Sequence, residues 1–123
     1  MNLLPIRLSI GGTGANLKFA GGQTLVHTKP PEALSAYDGK DIVLGVRPEA
    51  FSVGFNVKTV LNLEAQMVEN AGSDTFAQFE IGNKMLTARL PGKVKIEAGR
   101  PTMLGVDLEA ACYFDPETEQ RIA

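Results

Sequence analysis

Apolar and polar residues alternate along most of this chain in short runs, the period of half-buried strands. Ile6, Leu8 and Ile10 alternate with Arg7 and Ser9, which predicts a first strand over Leu3–Ile10. Pro5 suits an edge or the opening of that strand, because it has no N–H to give a ladder. Gly11-Gly12-Thr13-Gly14 breaks the pattern, and Leu17 and Phe19 resume it in Ala15–Phe19. Gly21-Gly22 predicts a hairpin turn with Gln23–His27 as the return strand. Lys29–Gly39 is the one helical candidate, a single turn opened by Pro30 or Pro31. It leads into Asp41–Phe55, the least generic stretch. There an apolar strand, Asp41–Val46, is stopped by Arg47-Pro48-Glu49, since Pro48 cannot continue an interior ladder. Ala50–Val53 continues past this corner, and Gly54 allows a bend.

The second half repeats the style without an internal repeat that stands out. Val57–Glu69 fits both helix and strand periods; the alternation of Leu61, Leu63, Ala65 and Met67 favours a strand. Asn70–Asp74 is a turn. Thr75–Ile81 alternates imperfectly, with Ala77 and Phe79 on one face and Phe76 on the other. Gly82-Asn83 turns into Lys84–Leu90, which sets Leu86, Ala88 and Leu90 opposite Met85, Thr87 and Arg89. Val94–Ala98 predicts a short strand, and Thr102–Ala111 a single amphipathic one. Cys112-Tyr113-Phe114 runs into the turn Asp115-Pro116-Glu117-Thr118. Eight to ten short strands between Gly, Pro and Asn turns mean an all-β barrel or sandwich in one domain, residues 1–123.

Charge shifts attention away from nucleic acid. Net charge is −2, and residues 61–123 carry six basic against ten acidic side chains. A phosphate-backbone binder needs a focused basic surface. The most favourable grouping is a stacking platform of Phe76, Gln78 and Phe79 beside Lys84 and Arg89. It lies in the acidic half. The single cysteine, Cys112, has no internal partner, which suits a reducing compartment. The N-terminus lacks the features of a signal peptide.

Catalytic parts are missing from the sequence. Gly11-Gly12-Thr13-Gly14 lacks the Lys-Ser/Thr of a phosphate loop, and Asp41 follows Gly39-Lys40 where a hydroxyl is required. One histidine and one cysteine do not make a zinc site. Asp115, Glu117 and Glu119 with Pro116 depart from a calcium loop. Cys112 in its apolar run reads as packing, and His27 as a rim or surface residue. Glu49, Asp74 and Asp107 are carboxylates without a spacing that marks acid–base work.

Five segments together resemble a known family. They are Met1–Pro5, Leu44-Gly45-Val46-Arg47-Pro48-Glu49, Val68-Glu69 with Gly72-Ser73-Asp74-Thr75, then Arg89 with Pro91-Gly92, and Phe114-Asp115-Pro116-Glu117-Thr118 with Arg121-Ile122. In this order the chain resembles the C-terminal, TOBE-type regulatory domain of ATPase subunits of bacterial ABC importers for sugars and sugar phosphates, the maltose and glycerol-phosphate importer family. In that family's terminal segment glycine is commoner than Glu119.

The resemblance implies an OB-fold-like barrel of short antiparallel strands with at most one short helical turn. It implies no catalytic, cofactor or metal residues in this chain, with ATP and magnesium held by an ATPase domain that the chain lacks. The chain is then expected to be an excised or separately encoded C-terminal piece. The implied partners are a second ATPase subunit in a homodimer, the transporter's membrane subunits through the ATPase domain, and a regulatory protein or small molecule. The parent would lie at the cytoplasmic face of the membrane. Structural roles are implied for Leu44, Gly45, Arg47, Pro48, Glu49, Gly72, Asp74, Phe114 and Asp115, with Arg47 and Glu49 holding the barrel corner. A different class stays open: a free-standing barrel that binds an oxyanion or sugar, or an oligonucleotide.

Overall fold

A computed structural model describes residues 1–53 and 59–123. Expectations that fall on Gly54, Phe55 and Val57 lie outside the described residues. Strands β1 (Asn2–Gly11), β2 (Gly14–Phe19), β3 (Thr24–His27) and β4 (Asp41–Val46) come first, followed by the short β5 (Phe51–Val53). Then come β6 (Val60–Asn70), β7 (Asp74–Ile81), β8 (Lys84–Pro91), β9 (Pro101–Val106) and the short β10 (Cys112–Phe114). All pairings are antiparallel, in the sheets β10-β4-β1-β2-β3 and β5-β9-β6-β7-β8. The fold is all-β and OB-fold-like, as expected. Helical content is small but is not confined to one turn: 3-10 segments occupy Glu32–Tyr37, Pro48–Ala50 and Leu108–Ala110.

The two sheets share one plan, so the chain contains a repeat that sequence reading missed. In each, a meander of three strands is followed by a fourth that returns beside the first, and a short fifth strand adds outside the fourth. That fifth strand is exchanged: β5, from the first half, pairs with β9, and β10, from the second, pairs with β4. The matching corners are Leu44-Gly45-Val46-Arg47-Pro48-Glu49-Ala50 and Leu104-Gly105-Val106-Asp107-Leu108-Glu109-Ala110, which agree at five of seven positions. The similarity is hard to see because it is confined to these corners. Elsewhere the halves share apolar spacing and only scattered single identities, such as Ala15 with Ala77.

Both corners depend on a glycine with no room for a side chain. Gly45 lies opposite Cys112 and Gly105 opposite Ser52. A Cβ on Gly45 would stand 2.7 Å from the Phe114 ring and 2.6 Å from Met1 Sδ; on Gly105 it would stand 2.8 Å from Ser52 Oγ. Side-chain amides add further links between the halves. Asn2 bonds both the N–H and the C=O of Thr87 on β8, at 2.8 and 2.9 Å. Gln23 does the same for Asn62 on β6, at 2.8 Å for each bond. These amides occupy backbone groups that would otherwise face solvent at strand edges.

Two expected strands fail for different reasons. Val94–Ala98 alternates in burial, with Val94 and Ile96 packed against the core, yet it forms no ladder: the pairing of β9 with β6 begins only at Pro101, opposite Glu64. Thr102–Ala111 is broken at Asp107, whose Oδ1 accepts from Glu109 N at 3.1 Å and opens a 3-10 turn. That turn redirects the chain from the second sheet into the first. The stacking platform is also absent: Phe79 is fully buried, and Phe76 faces the opposite side of β7.

The C-terminal tail holds β10 on its free side. Ile122 N donates to Tyr113 O at 2.7 Å, and Tyr113 N donates to Ala123 O at 3.0 Å. The turn between them is built on Asp115, whose Oδ1 accepts from Glu117 N and Thr118 N at 2.8 and 3.2 Å and whose Oδ2 accepts from Tyr37 Oη at 3.0 Å. The two backbone N–H groups, chiefly that of Glu117, hold the Asp115 carboxyl below the usual carboxylate range; the Tyr37 hydroxyl and Lys40 add to this against partial desolvation. Glu119 completes the turn at φ 61°, a left-handed backbone where glycine fits best and where the family's glycine is commoner.

Three outcomes are expected. Gly45→Val lowers unfolding free energy by about 1–3 kcal/mol through overpacking at the strand crossing, seen as a lower urea midpoint; an unchanged midpoint would contradict the close crossing. Glu119→Gly raises stability by roughly 0.5–1 kcal/mol by removing left-handed strain, and a destabilised variant would refute that reading of the turn. Because the folded Asp115 pKa is depressed, its contribution is complete above the unfolded pKa of about 4 and is lost as pH falls through the folded value. The Glu117 amide resonance should therefore titrate below about pH 4 in the parent chain but not in Asp115→Asn.

Candidate functional site

Edge strand β3 ends on His27, and its neighbour is the 3-10 corner after β9. Between them lies a cleft of about 300 Å³ lined by Val26, His27, Thr28, Thr59, Val106, Asp107, Leu108 and Glu109. Gly14 brings the β1–β2 hairpin against this strand end, where a Cβ would meet the His27 carbonyl oxygen. Sheet order places β3 and β10 at opposite edges of the first sheet. Yet His27 Nδ1 lies 2.9 Å from Tyr113 Oη, so the sheet curls until its edges are joined by one buried hydrogen bond.

His27 is only 5 % exposed, which corrects its expected place at the rim. Alternation from Leu25 was the available signal, since both residues point inward from β3. Tyr113 is fully buried, and burial, with Glu109 nearby, pushes its hydroxyl far above the ordinary tyrosine range. Tyr113 therefore keeps its proton and can donate it to Nδ1, and the Glu109 carboxylate beside Nε2 favours the tautomer that carries the imidazole hydrogen there. Nε2 is buried without a hydrogen-bond partner. Glu109 Oε1 stands 3.7 Å away, beyond hydrogen-bond range, on a side chain that is 81 % exposed.

The residues singled out from sequence do not line this cleft: they gather at the first corner with β10 packed against it, and at the β6–β7 turn. Leu44 is buried opposite Tyr113, and Gly45 accommodates β10. Arg47 and Glu49 are exposed, and among the described residues neither makes an ion pair. The corner is fastened through the backbone, with Ala50 N donating to Arg47 O at 2.9 Å and Asp107 N to Ala50 O at 3.0 Å, while Pro48 opens the 3-10 turn. Gly72 occupies the β6–β7 turn at φ 85°, its N–H bonded to Asn70 Oδ1 at 3.0 Å. Asp74 pairs with Arg89 at 3.2 Å. Phe114 and Asp115 belong to β10 and the turn after it, alongside a shallow apolar groove with Leu3, Pro5 and Val43. Among the described residues no three His, Cys, Asp or Glu side chains cluster as metal ligands, and no helix is long and apolar enough to cross a membrane.

Known proteins match this architecture. Residues 1–51 match the MalK OB fold domain family. The chain is 33 % identical over 110 residues to the sulfoquinovosyl glycerol transport ATP-binding protein SmoE of Agrobacterium fabrum, covering 89 % of this chain and 31 % of that protein. It is 32 % identical over 123 residues to the sn-glycerol-3-phosphate import ATP-binding protein UgpC of Cereibacter sphaeroides, covering 99 % of this chain and 32 % of that one. The chain thus spans about a third of the length of these curated relatives. Among solved structures, the cytoplasmic molybdate-binding protein ModG superposes with a TM-score of 0.71 over 94 % of this chain and 96 % of its own, at 14 % identity, a likeness of fold alone. The chain is a TOBE-type, OB-fold-like domain related to the ATP-binding subunits of bacterial ABC importers for sugars and sugar phosphates.

Proposed function

We propose that this chain is the C-terminal accessory barrel of an ABC-importer ATP-binding subunit, non-catalytic by itself and serving regulation and contact between two copies of that subunit. The observation that carries the reading is the asymmetry of the alignments. Relatives named as transport or import ATP-binding proteins match nearly all of this chain with only about a third of themselves. ATP and magnesium then belong to the other two thirds, and so does contact with the membrane subunits. That assembly places the barrel on the cytoplasmic face of the membrane. The described residues support the division of labour: the two matching corners serve strand exchange, and Leu44, Gly45 and Pro48 act in packing rather than chemistry. Arg47 and Glu49, exposed beside the corner, are available to a neighbouring subunit.

A chimera tests this directly. Escherichia coli UgpC is 30 % identical to this chain over 122 residues. Replacing that aligned segment with this chain should preserve glycerol-3-phosphate uptake, whereas deleting the segment should impair it. A chimera that accumulates normally yet transports no better than the deletion overturns the reading.

A further inference from the structure

The His27 corner breaks the internal symmetry of the fold. Following the strand registers from one half to the other, His27 corresponds to Ala88: each lies opposite an alanine of the middle meander strand, Ala15 or Ala77. Tyr113 corresponds to Val53, each opposite the leucine that precedes the corner glycine. The second half therefore has an alanine and a valine where the first has a buried, hydrogen-bonded polar pair. A barrel closes without that pair. What the pair adds is a buried imidazole nitrogen beside the cleft, directed towards Glu109 and lacking a partner. Leaving such a group unsatisfied is unfavourable, because it has given up water without gaining a partner.

We propose that this cleft binds a small uncharged polyhydroxylated molecule, of the sugar or polyol class, through a hydroxyl shared between His27 Nε2 and Glu109. The 3.7 Å gap between Nε2 and Oε1 is too long for a direct bond. A hydroxyl oxygen bridges the two groups once Glu109 moves outward, accepting from Nε2–H and donating to the carboxylate. The exposed Glu109 side chain can rotate to admit it. Thr28 and Thr59 offer further hydroxyl partners, while Val106 and Leu108 offer an apolar wall for C–H surfaces.

Charge decides against the other small-molecule classes. Among the described residues the cleft wall holds Asp107 and Glu109 and no lysine or arginine. An oxyanion would face two carboxylates with no counter-charge among the described residues of the wall. An amine would satisfy the carboxylates but would point its own donors at Nε2–H. Only a group that both accepts and donates suits the pair. The proposal does not rest on the importer reading and holds for the barrel by itself.

The chain has one histidine, so its ring resonances are assigned without ambiguity. The full chain, labelled with ¹⁵N, would be titrated with D-glucose and with glycerol, following the His27 ring nitrogens by long-range ¹H–¹⁵N correlation. Orthophosphate and ethanolamine serve as anionic and cationic comparators. The expected result is a saturable shift at Nε2 with at least one of the two polyols, weakened about tenfold in Glu109→Ala, the loss of one charge-assisted hydrogen bond. No saturable shift with either polyol would overturn the proposal, as would tighter binding of orthophosphate or ethanolamine. A Glu109→Ala chain that titrates like the parent would also overturn it.

Discussion

Each sheet's fifth strand comes from the opposite half of the chain, and the remaining features of the fold follow from that exchange. A half that supplied its own fifth strand would need no close contact with its neighbour. Here β5 must cross to β9, and β10 must return to β4. Both crossings require a strand to turn sharply at its end, and both 3-10 corners provide this, one opened by Pro48 and the other by Asp107. Both also require a position without a side chain, met by Gly45 and Gly105. The amides of Asn2 and Gln23 then occupy backbone groups along the seam. The buried residues of the two halves form one continuous apolar cluster, so exchange and packing act together.

Symmetry of this kind leaves the differences between halves to carry function. The exchanged strand that enters the first sheet brings Tyr113 beneath His27, whereas the one that enters the second brings Val53, which is 45 % exposed. Tyr113 is fixed from both sides, by Leu44 on β4 and by the tail residues Ile122 and Ala123. The position of the imidazole therefore depends on residues far apart in sequence. The cleft beside it inherits that rigidity from the strands and its polarity from Asp107 and Glu109, which belong to the same corner that makes the exchange possible.

Sequence patterning located most strands because one face of each is buried, and period-two alternation reports that directly. Asp41–Val46 and the stop at Pro48 were legible for this reason, as was the strand character of Leu61–Met67. Alternation fails where burial and pairing separate. Val94 and Ile96 alternate with charged residues but have no partner strand, and Thr102–Ala111 keeps its alternation through a 3-10 turn that changes sheets. The internal repeat was obscured because only the corners share a continuous run of residues. The cleft was obscured for another reason: His27 meets Tyr113 across 86 residues of chain, so alternation from Leu25 can turn the ring inward but cannot name its partner. The family, by contrast, was legible in the corner hexapeptide, where backbone constraints restrict which residues fit.

Native-state hydrogen exchange tests the interlocked architecture most directly. If strand exchange joins the halves, the amides of β4 and β9 should share one global opening free energy with those of β1, β2, β6 and β7, and that free energy should match the one from urea unfolding. Two separate protection classes, one for each half and differing by more than about 1 kcal/mol, would mean that the halves open independently and would contradict the account.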